Sequence, residues 1–384
     1  MPYRTTMTGS WHRPPRILEL LAQSPTGELD ERHADDYLAA ERQAIREQLH
    51  PNGQTHGLTA VSNGGERIAG YTNYLPSRFE GFSATERRGM QLPPETVQEF
   101  AESNPALAAA LTQMQSVFSL PAIERPLRYV GGARARREAE DLRRLGREEG
   151  AESVFLPAPS PGVITIFYPN NPTVYPTHLA YLRALVPEMR REYEAILSVP
   201  DVVLQIDAPD LAMGKQTAFD WGKDFLEVLP AHVDAINEAI QGLPRERIRV
   251  HYCYGNYAAS HIHDADFAAV LPEITRLKVS ALVGELANPR HEGDLRLLQR
   301  YAREHGWPAH LGFAGGVIDV KTPIVESPQT VKLRLDHLAA IVGEENAWGG
   351  TDCGFETFAG VSGVTHAVAL QKLEALAEGA RLPH

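Results

Sequence analysis

The stretch Ile248-Arg249-Val250-His251-Tyr252-Cys253-Tyr254 is rich in β-branched and aromatic residues, which favours a β-strand. Residues two apart on a strand face the same side of the sheet, so His251 and Cys253 point in one direction. An imidazole and a thiolate placed in this way can bind one metal ion without a special loop. On a helix the same two side chains would point about 200° apart. This stretch therefore predicts a strand that carries two ligands of a metal site.

A second cysteine and an acidic residue extend this pattern. The 384 residues contain two cysteines, and the second lies in Thr351-Asp352-Cys353-Gly354. Glu285 ends an apolar run between the two cysteines. Two thiolates, an imidazole and a carboxylate are soft and borderline donors, and such a set suits zinc.

Two other interpretations of the cysteines stay open. They would be small buried hydrophobic residues if no metal binds, or they would pair as a disulfide. We expect no signal peptide, since Met1-Pro2-Tyr3-Arg4 leads into polar residues. We therefore expect a reducing cytoplasm, where a disulfide is disfavoured.

Composition limits the class of protein and the kinds of partner. Hydrophobic residues make up 43% and charged residues 22% of the chain, as in an ordinary folded protein. No apolar stretch approaches the roughly 18 residues that a membrane helix needs. The net charge of −12 argues against a general nucleic-acid surface, because phosphate binding depends on clustered Lys and Arg. We expect small-molecule partners, no nucleic acid and no membrane, and the sequence leaves a homo-oligomer open.

The order of strands and helices predicts the fold. Eight short apolar runs each follow a polar or helical stretch, which is typical of a parallel sheet. Eight such units point to one closed (β/α)8 TIM barrel over residues 1–384, and the G-x-G-x-x-G fingerprint of an open dinucleotide-binding sheet is absent. The predicted strands are 4–9, 58–63, 153–158, 202–207, 248–254, 279–285, 309–315 and 347–353. The predicted helices include 179–197, 225–240, 293–305 and 331–341.

One connection is too long for an ordinary barrel loop. Residues 63–153 join the second and third strands, far more than a βα connection needs. We expect residues 66–150 to form an inserted helical subdomain or lid near the mouth of the barrel. Its helices are predicted over 94–117 and 133–149, on either side of a short strand at 127–130.

Polar residues stand at the carboxyl ends of several predicted strands, where the active sites of TIM barrels gather. They are Gly9 and Ser10 after the first strand, residues 63–67 after the second, Asp207 at the fourth, His251 and Cys253 at the fifth, Glu285 at the sixth, Asp319 after the seventh, and Asp352 and Cys353 at the eighth. Four candidate metal ligands thus converge from three strands on one face. We predict a metal site at this face.

Six motifs at these positions form a specific combination. They are Gly9-Ser10 with Arg13-Pro14, Gln205-Ile206-Asp207-Ala208-Pro209, His251-x-Cys253-Tyr254, Glu285, Gly316-Val317-Ile318-Asp319-Val320-Lys321-Thr322, and Asp352-Cys353-Gly354-Phe355. Together they resemble the catalytic barrel of cobalamin-independent methionine synthase and its relatives, nearly from end to end. The resemblance implies a zinc ion that activates a substrate thiol for S-alkylation. It implies the zinc ligands His251, Cys253, Glu285 and Cys353, and substrate contacts at Ser10, next to Gly9, and at Asp207.

The chain departs from the methionine synthase pattern near the substrate. The acid that grips the ammonium of homocysteine is displaced to Glu66, and the family's D-E-P is Asp207-Ala208-Pro209. Lys321 replaces a histidine that donates a proton, and the tryptophan that packs on folate in the family is missing from residues 166–171, where Tyr168 would stack instead. We therefore take Glu66 and Tyr168 as candidate substrate contacts. The candidate catalytic residues are Asp207, Asp319 and Lys321.

Zinc would make the nucleophile. A free thiol with a pKa of about 8.5 is mostly protonated at neutral pH, and coordination to zinc deprotonates it. Four protein ligands would close the site, whereas catalysis needs an open position. We predict that the hardest ligand, Glu285, yields when the thiol arrives.

Three functions fit these residues. The first is methyl transfer to homocysteine or a similar small thiol from a donor such as 5-methyltetrahydrofolate or methylcobalamin. The second is opening of an epoxide, because residues 285–292 are similar to the branch that includes epoxyalkane:coenzyme M transferase, and Arg290 or His291 would then bind the anionic tail of a thiol. The third is a non-catalytic barrel with a structural zinc, or a binding module without turnover, and it is disfavoured because structural zinc usually sits in compact C-x-x-C knuckles.

Overall fold

Eight short strands pair in parallel and form a nearly closed barrel in the computed structural model, which describes residues 2–89, 92–105, 109, 119–214 and 224–383. The barrel strands are β1 (Arg4–Thr5), β2 (Ala60–Val61), β5 (Ser153–Pro159), β6 (Val202–Asp207), β7 (Ile248–Tyr252), β8 (Ala281–Gly284), β9 (Gly312–Ile318) and β10 (Ala347–Thr351), while β3 (Phe79–Gly89) and β4 (Ser119–Tyr129) form a separate hairpin. Their order around the barrel is β1-β10-β9-β8-β7-β6-β5-β2, and a parallel bridge between Thr6 and Ala60 joins the two end strands. The predicted TIM barrel is confirmed.

The barrel strands are short, and most of their residues are buried. Every residue of β7 and of β9 is buried, because side chains fill the barrel interior and helices cover its outside. All eight predicted strands are found, although β1 and β2 each span two residues. Strand β9 lies three residues further along the chain than predicted, so Asp319 directly follows its end.

Helices surround the barrel. The structure has the four predicted barrel helices, and their ends lie within three residues of the predicted ranges 179–197, 225–240, 293–305 and 331–341. Side chains cap several of them, as Ser160 accepts a hydrogen bond from the Val163 N–H and Thr177 from the Ala180 N–H. No helix among the described residues is long and apolar enough to cross a membrane. The helices are Pro15–Ala22, Ala34–Leu49, Leu75–Arg78, Pro94–Ser103, Gly132–Glu148, Pro161–Phe167, His178–Leu197, Phe225–Ala239, Phe267–Ile274, Asp294–His305, Pro328–Val342 and His366–Gly379.

The long insertion contains sheet as well as helix. Strands β3 and β4 pair antiparallel, so the predicted short strand at 127–130 is the end of a much longer one. Of the helix predicted over 94–117, the structure has Pro94–Ser103, and residues 106–108 and 110–118 lie outside the described residues. The helix Gly132–Glu148 packs on the barrel, where a Cβ on Gly146 would lie 2.4 Å from Val154. A lid function for residues 66–150 stays a prediction.

A buried ionic cluster attaches the insertion to the helices of the barrel. Arg78 lies within 2.8 Å of carboxylate oxygens on Glu28, Glu138 and Glu192. All four side chains are almost fully buried, so the charges depend on one another for compensation. This cluster fixes the start of β3 relative to the helix Gly132–Glu148 and to the barrel helix His178–Leu197, which carries Glu192.

Candidate metal and substrate site

Three of the four predicted metal ligands come together at the carboxyl end of the barrel. Ligand atoms of His251, Cys253 and Cys353 all lie within 4.8 Å of one another, and the three residues are buried. His251 belongs to β7, Cys253 directly follows β7, and Cys353 follows β10 by two residues. A set of one imidazole and two thiolates fits zinc in both charge and softness. The prediction that these three side chains converge is confirmed.

Hydrogen bonds orient this donor set. The His251 Nδ1–H donates to the Val283 carbonyl at 3.1 Å, which leaves Nε2 facing Cys353 Sγ at 4.0 Å. Hydrogen bonds from Cys253 and His251 hold the pKa of the Cys353 thiol well below its usual range, although burial alone would raise it. Thr351 donates its hydroxyl to the Cys353 carbonyl at 2.7 Å and so holds the turn after β10.

Glu285, the fourth predicted ligand, lies outside this group and is engaged elsewhere. Its Oε1 accepts the Tyr254 N–H at 3.1 Å. Its Oε2 accepts the Asn288 side-chain amide at 2.8 Å and the Lys321 ammonium at 2.5 Å. Its role as a metal ligand stays a prediction.

Asp352 braces the turn that follows Glu285. Its Oδ1 accepts the N–H groups of Leu286 and Ala287 at 2.9 Å each, and its Oδ2 accepts the N–H of Asn288 at 2.8 Å. Burial, together with the nearby Glu285 carboxylate, raises the pKa of Asp352 to about 7. A Cβ on Gly316 would lie 1.9 Å from Asp352 Oδ1, so this approach requires a glycine.

Asp319 and Lys321, two of the predicted catalytic residues, share one turn. Asp319 Oδ1 accepts the Lys321 N–H at 2.8 Å, and the Asp319 N–H donates to Glu326 Oε1 at 2.8 Å. This turn directs the Lys321 side chain to Glu285. Asp319 thus holds the backbone of this turn through its hydrogen bond to the Lys321 N–H. A role of Asp319 or Lys321 in proton transfer stays a prediction.

Asp207 is supported by two residues, Gln205 and Arg249, to which the sequence analysis assigned no role. Its Oδ1 accepts the Gln205 amide at 2.8 Å, and Gln205 Oε1 accepts the Arg249 Nε–H at 2.9 Å. Arg249 lies over the Phe155 ring at 3.7 Å in the barrel interior. Burial raises the pKa of Asp207 to about 6, and His251 opposes this rise. Gln205 and Asp207, two apart on β6, and Arg249 on β7 therefore form a series of hydrogen bonds that orients the Asp207 carboxylate.

The predicted substrate contacts Gly9, Ser10 and Glu66 lie on the β1 and β2 side of the site. Ser10 contacts the segment that carries Cys353, because its carbonyl accepts the Phe355 N–H at 2.9 Å and a Cβ on Gly354 would lie 1.8 Å from its hydroxyl. The Gly9 carbonyl accepts the Ser62 hydroxyl at 2.6 Å. Neither oxygen of the fully buried Glu66 carboxylate accepts a hydrogen bond from a described residue.

Tyr168 is less open than its predicted role requires. It is fully buried, its ring lies 4.8 Å from that of Phe82, and its hydroxyl donates to the Thr72 carbonyl at 2.9 Å. Stacking on a substrate would require Phe82 on β3 to move, so this contact stays a prediction. The neighbouring Tyr71 packs edge-on against Phe167 with ring centroids 5.5 Å apart, and burial, followed by the nearby Cys253, raises the pKa of its hydroxyl well above the usual range.

His291 is not free to bind an anionic tail, contrary to one expectation. Its Nε2 lies 2.7 Å from Asp264 and its Nδ1 2.8 Å from Asp294, and its ring stacks on Tyr254 at 3.7 Å. Burial opposes protonation, but the two carboxylates prevail and raise the pKa of His291 to about 9. His291 is therefore an internal cation of the protein.

Fold and site together define a TIM-barrel protein with a candidate His-Cys-Cys metal site at the carboxyl ends of its strands. Residues 182–373, half of the chain, match the family described as cobalamin-independent synthase, catalytic domain. The chain belongs to this family of methionine synthase type, as its motifs predicted.

Individual relatives show where the chain lies within the family. It is 28% identical over 171 residues to 2-hydroxypropyl-CoM lyase of Xanthobacter autotrophicus, a match that covers 39% of this chain and 44% of that protein. It is 26% identical over 195 residues to a methionine synthase of Sulfolobus acidocaldarius, covering 51% and 47%. The chain spans about half the length of these curated relatives.

A solved structure is similar over the whole barrel. The B12-independent methionine synthase from Shewanella sp. W3-18-1, in complex with selenomethionine, superposes with a TM-score of 0.67 at 18% identity. The superposition covers 99% of this chain and 97% of that chain. At this level of identity the likeness supports the fold, and the chemistry has to be argued from the residues themselves.

Proposed function

We propose that the protein is a zinc-dependent S-alkyltransferase that transfers a methyl group to the thiol of homocysteine or a similar small thiol. The observation that carries this proposal is the buried His251, Cys253 and Cys353 cluster, in a barrel that belongs to a methionine synthase family. Zinc bound there would lower the pKa of the substrate thiol and hold its sulfur as a thiolate. The two free cysteines are then ligands rather than disulfide partners.

The side chains around the cluster supply binding and orientation for an amino-acid thiol. A substrate ammonium would lie between two carboxylates, Glu66 and Asp207, which are both buried and therefore favour a cationic partner. Ser10 lies against Gly354, next to the Cys353 ligand, and so connects the substrate end of the site to the metal end. The sulfur would form its bond to the methyl carbon as the bond between that carbon and the donor breaks, with the electron pair leaving on the donor.

A second candidate function is attack of the same thiolate on an epoxide. It is favoured by the match to 2-hydroxypropyl-CoM lyase and by Lys321, which replaces the family's proton-donating histidine. The burial of His291 between Asp264 and Asp294 weakens one argument for this candidate, because both ring nitrogens of His291 are already engaged by these carboxylates.

A thiol panel tests the proposal. Purified protein is analysed for zinc and then incubated with homocysteine, coenzyme M or glutathione, each with methyltetrahydrofolate, methylcobalamin or a small epoxide. We expect about one zinc per chain and consumption of homocysteine with a methyl donor. Consumption of coenzyme M with the epoxide alone would favour the second candidate.

The control variants are Cys353→Ser and Met189→Leu, which replaces a buried sulfur in the helix His178–Leu197. We expect Cys353→Ser to lose zinc and to lower turnover by at least about 100-fold, whereas Met189→Leu keeps both. Undiminished product formation by folded Cys353→Ser would contradict a metal-activated thiol.

A further inference from the structure

A buried lysine holds the carboxylate that was predicted as the fourth metal ligand. Lys321 Nζ lies 2.5 Å from Glu285 Oε2, and the two side chains are 8% and 0% exposed. Removing one partner of a buried ion pair is strongly unfavourable, because the other charge is left uncompensated. Movement of Glu285 to a metal would therefore leave the buried Lys321 ammonium without its carboxylate partner, which is unfavourable.

Two more hydrogen bonds hold the same carboxylate. The Tyr254 N–H donates to Oε1 at 3.1 Å, and the Asn288 amide donates to Oε2 at 2.8 Å. Both oxygens of the carboxylate are thus engaged by groups of the protein. Glu285 also lies outside the group whose ligand atoms approach within 4.8 Å.

The direction of Lys321 is fixed by its own backbone. Asp319 accepts the Lys321 N–H at 2.8 Å and donates its own N–H to Glu326 at 2.8 Å, and Glu326 accepts the Lys372 ammonium at 2.9 Å. This connected series attaches the turn after β9 to the helix His366–Gly379. These hydrogen bonds fix the turn after β9 and therefore the position of Lys321.

We propose that Lys321 is a positioning residue that keeps Glu285 outside the coordination shell of the metal. The inference rests on the proposed function and extends it to the ligand set. Three protein ligands leave the fourth position of a tetrahedral zinc to the substrate thiol, as catalysis requires. Two thiolates neutralise Zn²⁺, so the arriving thiolate meets a neutral shell, whereas a bound carboxylate would make the shell anionic and repel it.

Crystal structures of the zinc-loaded full chain test the inference directly. In the wild type we expect Glu285 to stay on Lys321, with a solvent or thiol ligand in the fourth position. In Lys321→Met we expect the carboxylate to turn to zinc at about 2.0–2.2 Å. Lys321→Arg keeps the charge and is the matched control, with Glu285 still off the metal.

Thiol binding to the zinc-loaded protein, measured by calorimetry with homocysteine and coenzyme M, gives a second readout. Lys321→Met should bind thiol at least about tenfold more weakly, because Glu285 must first be displaced. The double variant Lys321→Met with Glu285→Gln removes both charges and should recover the wild-type affinity within about threefold. It also keeps the test decisive if the single variant folds poorly.

The outcomes separate the inference from the proposed function. A wild-type structure with Glu285 bonded to zinc would overturn the inference and leave the S-alkyltransferase proposal standing. A Lys321→Met structure in which Glu285 stays off zinc would also overturn it. Folded wild-type protein that binds no zinc would overturn both.

Discussion

The two sides of the barrel mouth treat buried carboxylates in opposite ways. On the β8 to β10 side, Glu285 and Asp352 accept hydrogen bonds from backbone, amide and ammonium groups of the protein. On the β1 and β2 side, neither oxygen of Glu66 accepts a hydrogen bond from a described residue. An uncompensated buried charge is costly. The carboxylates of the first side, which we call the compensated side, have their partners within the protein. Glu66 on the second side, the uncompensated side, is suited to a cationic ligand. Variants on the first side should change stability and metal geometry, and variants on the second should change substrate binding.

The largest effect is expected from Gly316→Ala, which breaks the compensated side. The new Cβ would lie 1.9 Å from Asp352 Oδ1, so Asp352 must release the N–H groups of the turn at residues 286–288. We expect the free energy of unfolding to fall by about 3–5 kcal/mol, from overpacking and lost hydrogen bonds. Urea unfolding measures this change.

Gly293→Ala is the matched control for Gly316→Ala, because a Cβ on Gly293 meets no atom within 4 Å. We expect its unfolding free energy to stay within about 0.5 kcal/mol of the wild type. Equal stability of the two glycine variants would show that Asp352 does not brace the turn.

The second prediction concerns the pH dependence of the compensated side. The two carboxylates beside His291 raise its pKa from 6.5 to about 9 in the folded protein. A raised histidine pKa stabilises the fold fully below pH 6.5, and the contribution is lost as the pH rises to about 9. The size of the loss is on the order of 3 kcal/mol.

Urea unfolding of wild type and His291→Gln between pH 6 and pH 9.5 measures this contribution. The difference in unfolding free energy between them should shrink as the pH rises. His305→Gln, at a largely exposed histidine, should leave the pH profile unchanged. A constant difference between wild type and His291→Gln across this range would rule out His291 as a cation.

The sequence predicts the compensated side well where its evidence is local. His251 and Cys253 are two apart at the end of β7, and Cys353 follows β10 by two residues, so strand periodicity together with the predicted barrel brings these ligands to one face. The partners of Glu285 and Asp352 are different, because Lys321 is 36 residues from Glu285 and the braced turn is 64–66 residues from Asp352. Contacts over such distances depend on which strands become neighbours, and no single motif contains them.

The insertion shows a second limit of sequence reasoning. Strand β3 reads FEGFSATERRG, and its polar residues do not alternate with apolar ones as in a half-buried strand. The hairpin that it forms with β4 covers Tyr168 through Phe82, and this packing is decided by the tertiary structure. A helical insertion was therefore expected where part of the segment is a hairpin.

The third prediction addresses the uncompensated side through Glu66→Gln. The variant removes a buried carboxylate without hydrogen-bond partners, so we expect the protein to become more stable at neutral pH by about 1–3 kcal/mol. The same change should raise KM for homocysteine by about 10- to 100-fold, because an ammonium loses a charged partner. Steady-state kinetics and urea unfolding measure the two effects.

Coenzyme M, which has no ammonium group, is the control substrate for Glu66→Gln. Its KM should change by less than about threefold. Equal losses for both thiols would mean that Glu66 does not recognise the ammonium. Lower stability of Glu66→Gln would mean that the carboxylate is compensated within the folded protein.

The smallest effect is expected from Asp319→Asn, which distinguishes a shaping role from proton transfer on the compensated side. The asparagine side-chain oxygen can accept the same Lys321 N–H that Asp319 Oδ1 accepts at 2.8 Å, so the turn that directs Lys321 to Glu285 should persist. We expect kcat to change by less than about threefold and the pH dependence of kcat to keep its shape. Asp319→Ala, which loses the acceptor, should have the larger effect through Lys321. A loss of more than about 100-fold in Asp319→Asn, with zinc still bound, would instead assign the carboxylate a part in proton transfer, because general acid–base groups contribute at least that much.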